Sequence, residues 1–236
     1  MSTYAWILLG SLSLPLLLSF HPRIRFVKQW MTFIMSCLPI AALFILWDIQ
    51  FTRQGVWGFN PEHHSAIILM GMPIEEYLFF LVIPFCCTFT YEVLEIVGLR
   101  THRSMQTLHR AIGVSAVIIA AATISSTYTS TVFLAVAAVC LVTWNEPNWL
   151  GRAYLSYAVL MIPFVAVNGL LTGTLIVDEV VWYNRQAIIG WRVGTIPVED
   201  FAYCFAMFVS QIACYEQLKA QSKEKKWKQT YFQLSK

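Results

Sequence analysis

Two short acidic motifs carry the residue types best suited to proton chemistry. Pro73-Ile74-Glu75-Glu76 recurs as Pro197-Val198-Glu199-Asp200, at an offset of 124 residues. Adjacent carboxyl groups in surroundings of low dielectric do not both ionise readily, so one of them is expected to stay protonated. A protonated acid in an apolar cavity can act as a general acid. The motifs therefore predict acid–base catalysis by Glu75, Glu76, Glu199 and Asp200.

The residues around the motifs indicate an internal duplication. Asn60 corresponds to Asn184 at the same offset, and Tyr91-Glu92 corresponds to Tyr215-Glu216 without a gap. Several matches in one register are difficult to explain by chance. We expect two repeats of three helices each, joined by one linker helix.

The composition predicts that these motifs lie in a membrane protein. Of the 236 residues, 58% are hydrophobic and 12% are charged, and the mean hydropathy is +0.61. A soluble domain carries roughly 25% charged residues, so a soluble enzyme, a disordered chain and a nucleic-acid-binding module are excluded. The sequence has neither a glycine-rich nucleotide motif nor a Cys-x-x-Cys pair. We therefore expect no nucleotide or flavin cofactor and no metal site.

Apolar runs long enough to cross a bilayer, which takes roughly 20 residues, predict seven spans. Basic residues concentrate on the cytoplasmic side of membrane proteins, and 13 of the 16 fall on one side if the loop after the first span lies inside. The prediction is an all-α, polytopic membrane protein of seven transmembrane helices, arranged as two parallel three-helix repeats and a linker helix (3+1+3). Its N-terminus lies outside and its C-terminus is cytoplasmic. The predicted spans are about 3–20, 30–48, 73–97, 110–126, 128–145, 151–174 and 195–219.

The predicted domain boundaries follow this plan. The first repeat covers residues 1–98, the linker helix 99–127, the second repeat 128–220 and a basic cytoplasmic tail 221–236. The tail is expected to contact anionic lipid headgroups. Arg100 and Arg103 are assigned to the inner side, and Glu146 is expected to pair with Arg152. The protein is predicted to be a multi-pass protein of the cell (inner) membrane.

The depth of the motif acids in the membrane distinguishes a structural role at the helix start from a functional one. Proline is favoured in the first turn of a helix, so Pro73 and Pro197 are expected to begin helices whose dipole the acids compensate. However, only 15 uncharged residues separate Glu76 from Glu92, or about 22 Å of helix, against a hydrocarbon core of about 30 Å. The second copy has the same spacing. The acids are therefore expected inside the outer boundary, where a carboxyl group is a candidate for function.

Aromatic segments precede both motifs, at residues 56–61 and 181–185. They are interpreted either as lids over the acids or as an interfacial aromatic belt; in the lid interpretation, two asparagines hydrogen-bond the acids. Asp48 and Asp178 are interpreted as ends of outer loops. Acid, base and aromatic rings facing a cation suit protonation of an alkene, ring closure and proton loss. The candidate substrate-binding residues are Asn60, Asn184, Tyr77, Phe80 and Tyr203.

The two copies, PIEEYLFF at 73–80 and PVEDFAYCF at 197–205, resemble the repeated Pro-x-Glu-[Glu/Asp] motif of the membrane-integral lycopene cyclases. The chain is similar to the fused form of the heterodimeric bacterial type, also found in archaeal and fungal cyclase domains. The resemblance implies conversion of the linear ψ-ends of lycopene into β-ionone rings, through γ-carotene to β-carotene, without a flavin. It also implies that the four motif carboxylates act as acid and base. Two arrangements stay open: one copy catalyses while the other shapes a tunnel, or both contribute to one active site.

The resemblance implies lycopene and γ-carotene as lipid-soluble substrates. Membrane lipid and other enzymes of carotenoid biosynthesis are the further expected partners. The alternatives are a proton-coupled transporter with 3+1+3 repeats and a cyclase for another carotenoid or ring type. The Phe-rich centres of the third and seventh spans favour a lipid-soluble substrate over a transported solute. The sequence argues against a retinal photoreceptor, because the seventh span has no interior lysine and Lys219 lies at its inner end.

Overall fold

A computed structural model describes residues 1–99, 105–145 and 147–234 of the chain. The predicted inner-side residues Arg100 and Arg103, and the predicted pairing of Glu146, lie outside the described residues. Within these ranges the chain forms seven α-helices, one short 3-10 helix and six very short strands.

Each predicted span corresponds to one helix. The second helix continues past its predicted end to Arg53, and the last helix extends through most of the segment predicted as a basic tail. The helices are α1 (Thr3–Ser19), α2 (Trp30–Arg53), α3 (Ile74–Ile96), α4 (Gln106–Ala122), α5 (Thr127–Val142), α6 (Pro147–Leu171) and α7 (Val198–Leu234).

The outside of the helix bundle is apolar, as expected of helices that face lipid. Three described segments are long and apolar enough to cross a bilayer: Phe26–Arg53, Ile74–Ile96 and Asn148–Leu171. α1, α4 and α5 are apolar but shorter. Large side chains such as Leu46 and Ile162 are exposed. These features fit a membrane protein.

The strands form three antiparallel pairs next to the first turns of α3 and α7. Two of the pairs are hairpins that lead directly into these helices, and the third joins the two halves of the chain. The hairpin before α3 turns at Met70 and Gly71, which both have positive φ, as in the two-residue turns that match strand twist. The strands are β1 (Trp57–Phe59), β2 (Ile68–Leu69), β3 (Met72–Pro73), β4 (Val181–Tyr183), β5 (Arg192–Val193) and β6 (Ile196–Pro197).

α3 and α7 form the centre of the bundle. α1, α2 and α6 pack against α3, whereas α2, α5 and α6 pack against α7, and α4 packs on α5. Aromatic side chains fill much of the interior, with Phe26 and Phe33 placing their rings 5.4 Å from that of Phe85 in edge-to-face contacts. The two helices that begin with the acidic motifs are therefore held from both halves.

An ion cluster, Glu92, Glu95, Arg152, Glu216 and Lys219, joins α3, α6 and α7 far from the strands. Arg152 forms salt bridges with Glu95 and with Glu216, at 2.6 Å for the latter. Lys219 Nζ lies 2.6 Å from Glu92 and 3.4 Å from Glu95. Charged residues predicted at the inner ends of the third and seventh spans thus bind each other across the two halves.

Candidate active site

The acidic motifs begin α3 and α7 directly after the hairpins. Pro73 has extended backbone (φ −67°, ψ 151°) before the first turn of α3, and a proline leaves no N–H unpaired at a helix start. The N–H of Ile74 donates to the carbonyl of Ile67 (2.9 Å), and that of Val198 donates to the carbonyl of Trp191 (3.0 Å). The hairpins therefore fix the first turns that carry the four carboxyl groups.

The outer carboxyl groups, Glu75 and Glu199, accept hydrogen bonds from the loops that cover the helix ends. Glu75 accepts from the Ser65 N–H (2.8 Å) and hydroxyl (3.0 Å), and from a serine just before α1. Glu199 accepts from the Ile189 N–H (2.7 Å) and from the Thr129 hydroxyl (2.5 Å). Ser65 and Ile189 are 124 residues apart, so both halves make the same backbone contact. Each outer carboxyl group ties a covering loop to its own helix.

The inner carboxyl groups, Glu76 and Asp200, each accept a hydrogen bond from a tyrosine of another helix. Tyr4 of α1 donates to Glu76 Oε2 (2.5 Å), and Tyr128 of α5 donates to Asp200 Oδ1 (2.8 Å). All four side chains are buried. The two tyrosines are also 124 residues apart, so this contact occurs once in each half.

Asp200 has two further donors. The Tyr183 hydroxyl (2.9 Å) and the Asn168 amide (2.8 Å) both donate to Asp200 Oδ2. The corresponding positions in the first half are Phe59 and Phe44, whose side chains have no polar group. The two halves therefore surround their inner acids differently.

Asp48 supplies a third carboxyl group to the neighbourhood of the two inner acids. It lies inside α2 and is 3% exposed, and not at the end of an outer loop as the sequence suggested. It interacts with the Trp57 indole and with the charge of Glu76, and its Oδ2 has no hydrogen-bond partner among the described residues. Thr172 stands at the corresponding position of the second half. The first half thus places a second carboxyl group where the second half has a hydroxyl.

Asp48, Glu76 and Asp200 line one pocket, the acid pocket, between the two halves. Its volume is about 90 Å³. Six helices contribute to its wall, as do β1 and β4. The lining residues are Tyr4, Asp48, Trp57, Phe59, Glu76, Phe79, Ile83, Tyr128, Phe164, Asn168, Leu171, Val181, Tyr183, Asp200, Tyr203, Cys204 and Met207.

Aromatic rings form much of the wall of the acid pocket. The ring of Trp57 lies 5.0 Å from that of Tyr128 and 6.4 Å from that of Tyr203. Tyr128 and Tyr183 stack with their centroids 6.0 Å apart. Ring faces attract a positive charge, so this wall can stabilise a cation formed next to the acids.

The predicted substrate-binding residues are not all in the acid pocket. Tyr203 lines it, whereas Tyr77 and Phe80 lie on α3 outside its wall, and the Tyr77 hydroxyl donates to a backbone carbonyl of β2. The side-chain oxygens of Asn60 and Asn184 accept from backbone N–H groups two residues further on. The asparagine side chains therefore stabilise turns of the covering loops instead of bonding the carboxyl groups.

Four polar pocket residues were not identified from the sequence: Tyr4, Asp48, Tyr128 and Tyr183. The two helix tyrosines carried a usable signal, because Tyr4 and Tyr128 share the 124-residue offset of the motifs. Asp48 carried a different one, since it is an acid inside an apolar run, where a charged residue is functional by default. Tyr183 corresponds to a phenylalanine of the first half and had no such signal.

Comparison with known families matches the chain to the family model described as lycopene cyclase. The model matches residues 1–94 and again residues 125–218. Each matched segment covers all or most of three of the six helices that line the acid pocket. No curated protein and no solved structure matches significantly. The family match favours the cyclase over the transporter: the chain belongs to the lycopene cyclase family and is a carotenoid cyclase.

Proposed function

We propose that the chain is a lycopene β-cyclase that converts the two linear ψ-ends of lycopene, through γ-carotene, to the β-ionone rings of β-carotene. One observation carries the proposal: Glu76 and Asp200, one from each half, line a single buried aromatic pocket. This arrangement favours one active site built by both copies. Within the proposal, seven spans form two parallel repeats with the N-terminus outside, in the cell membrane.

The proposed reaction is redox-neutral and moves one proton in and one proton out. A proton adds to the terminal double bond, and the neighbouring double bond attacks the tertiary cation to close a six-membered ring. Loss of a proton from the ring returns a neutral alkene. No electrons are gained or lost, so the chemistry requires neither a flavin nor a nicotinamide.

Glu76 is the proposed proton donor. It lies beside Asp48 in the buried pocket, and two neighbouring carboxyl groups in such surroundings share a proton readily. The Tyr4 hydroxyl donates to Glu76 Oε2, so we assign the transferable proton to Oε1. Asp48 then returns a proton to Glu76 between turnovers, and the proton that the base takes from the ring passes back to Asp48 across the pocket that the three acids line, so that every group ends as it began.

Asp200 is the proposed base. Its three partners all donate, which matches an ionised carboxyl group, since that group only accepts hydrogen bonds. A carboxylate held in this way can stabilise the cation and receive the proton that leaves the ring. The rings of Trp57, Tyr128 and Tyr203 face the same space and exclude water, which would otherwise capture the cation.

Glu75 and Glu199 are proposed to position the covering loops and not to transfer protons. Both oxygens of Glu75 and Oε1 of Glu199 accept from loop N–H groups and from hydroxyls, whereas Glu199 Oε2 has no hydrogen-bond partner among the described residues. Neither side chain is part of the wall of the acid pocket. The same stretches of chain carry β1 and β4, which do line it. The outer carboxyl groups therefore keep the pocket closed.

The proposal is tested by expressing the chain in a bacterial host that accumulates lycopene and analysing the pigments by chromatography. We expect β-carotene with the native chain and unchanged lycopene with Glu76→Gln at equal protein level in the membrane. Glu62→Gln, which alters an exposed glutamate of a covering loop, is the control and should match the native chain. Unchanged lycopene with the native chain in the membrane would contradict the proposal.

A further inference from the structure

A second, apolar cavity adjoins the acid pocket. Its volume is about 370 Å³, in the range of small-molecule sites, whereas the acid pocket alone, at about 90 Å³, falls below that range. The two cavities share part of their walls, so an apolar chain in the larger one lies next to the acid pocket. The residues that line both are Phe79, Ile83, Phe164, Asn168 and Cys204.

The apolar cavity continues to the outside of the bundle between α1 and α6. Gly10, Ser11, Pro163 and Val167 line it and also line a third cavity of about 540 Å³. The third cavity reaches Trp6, which is 62% exposed. The three spaces therefore lie in a row from the lipid-facing surface to the acids, each sharing wall residues with the next.

Small side chains keep the outer part of this path open. A Cβ atom added to Gly10 would meet no other atom within 4 Å. Ala166, across the cleft on α6, lines the third cavity and is exposed. The walls offer few polar groups, so the path suits a hydrocarbon chain.

The corresponding positions of the other half, on α2 and α7, carry larger or polar side chains that pack together. The Phe44 ring lies 5.2 Å from that of Tyr203, which also contacts Trp47 at 5.1 Å. The Gln211 amide donates to the Ser36 hydroxyl (2.9 Å). The corresponding residues on the open side are Asn168 for Phe44, Leu171 for Trp47, Phe79 for Tyr203, Cys87 for Gln211 and Leu160 for Ser36.

We infer that a linear isoprenoid chain reaches the acids from the lipid through the cleft between α1 and α6, and not through the corresponding cleft between α5 and α2, behind which α2 side chains pack on α7. The inference rests on the proposed function for the identity of the chain. One open cleft admits one end of a long substrate at a time. The product with one ring must therefore withdraw and turn before its second end can react.

The test blocks each cleft at matched positions. Ala166→Trp fills the open cleft, and Ala42→Trp places the same side chain at the corresponding exposed position of α2. In membranes of the lycopene-accumulating host, we expect Ala166→Trp to lower the initial rate of ring formation at least about tenfold, because it fills the third cavity, through which the substrate must pass. Ala42→Trp should keep the native rate. Equal rates in the two variants would overturn the inference.

A binding measurement separates this inference from the proposed function. Both tryptophan substitutions are made in the Glu76→Gln chain, and lycopene that co-purifies with the protein is quantified by absorbance. Ala166→Trp should lose bound lycopene and Ala42→Trp should retain it. Because binding needs no turnover, this measurement tests the access route even if no ring is formed. Equal amounts of bound lycopene in the two variants would contradict the proposed route.

A second matched pair of variants controls for misfolding of the first pair. Gly10→Trp fills the same cleft from α1, and Leu134→Trp alters the corresponding exposed position of α5. Variants are compared only if their unfolding temperatures and membrane levels equal those of the native chain. We expect Gly10→Trp to reproduce the loss and Leu134→Trp to have no effect; the reverse result would place the access route in the other cleft.

Discussion

The indole of Trp182 lies where a side chain on Gly58 would be: a Cβ atom added to Gly58 would meet the ring far inside van der Waals distance. The two residues are Cα partners at the centre of β1–β4 and are 124 residues apart. The register is symmetrical about this pair. Trp57 pairs with Tyr183, and Phe59 pairs with Val181; Trp57 corresponds to Val181 and Phe59 to Tyr183 at the same offset. These four flanking residues all line the acid pocket. The contact between Gly58 and Trp182 therefore sets one wall of the pocket.

Gly58→Ala is expected to destabilise the protein by about 1–3 kcal/mol, the usual effect of overpacking, and to reduce ring formation. The added methyl group must displace Trp182 or part the strands. Combining Gly58→Ala with Trp182→Ala should restore much of the lost stability, since the shortened side chain leaves room. Thermal unfolding of the purified single and double variants in detergent measures both effects. Strictly additive losses would show that the two residues do not share this space.

Asp48→Asn is expected to slow turnover by about 10²-fold or more, the scale of a lost acid–base group. The substitution keeps the shape of the side chain but removes the proton relay to Glu76. Asp178→Asn is the matched control, because Asp178 is exposed in the segment before β4 and was grouped with Asp48 by sequence. Initial rates in membranes with equal protein levels decide the question. A native rate for Asp48→Asn would remove this residue from the mechanism.

The role of Glu75, either in positioning the loop or in proton transfer, can be assigned by comparing two substitutions. Gln retains an oxygen that can accept from the Ser65 N–H, whereas Ala retains none. If Glu75 only positions the loop, Glu75→Gln should stay near the native rate and Glu75→Ala should fall about tenfold, as expected when a site is slightly misplaced. Hydrogen exchange in residues 60–73 should rise in the Ala variant alone. Equal and severe losses for both variants would instead make Glu75 a proton donor or acceptor.

Solvent isotope incorporation tests the redox-neutral scheme. In heavy water, the proton added to the terminal double bond becomes a deuteron and stays in the product, whereas the proton that leaves comes from the substrate. Each ring formed should therefore carry one deuterium, detected by mass spectrometry of the product. Purified protein in lipid should form the ring without added flavin or nicotinamide. Rings without deuterium, or strict dependence on either cofactor, would rule the scheme out.

The sequence predicted the seven helices and the position of the four motif carboxyl groups because both depend on short-range signals. Long apolar runs identify helices, and the repeated Pro-x-Glu-[Glu/Asp] motif stands at the start of α3 and of α7. The partners of the acids depend on contacts between helices that are distant in sequence. Tyr4 reaches Glu76 across 72 residues, and nothing local to either residue indicates that contact.

Asp48 shows why asymmetry between the halves was difficult to predict. The predicted duplication directed attention to positions that match, and Asp48 corresponds to Thr172. Asn168 corresponds to Phe44 and also breaks the match, but as a polar residue inside an apolar span it could be recognised from the sequence as a candidate for the cavity wall. The residues that distinguish the surroundings of the two inner acids are those that the repeat does not share, and only packing brings them together. Asn60 and Asn184 illustrate the converse, since they match in sequence yet bond only their own turns.

The ion cluster also determines which halves can assemble with each other. Glu95 and Lys219 occupy corresponding positions, 124 residues apart, and carry opposite charges. A symmetrical pair of two first halves would oppose Glu95 to Glu95, and a pair of two second halves would oppose Lys219 to Lys219. Like charges placed together disfavour both pairs, so only the unlike halves are complementary. If the chain were divided within its linker, each fragment would select the other over a second copy of itself.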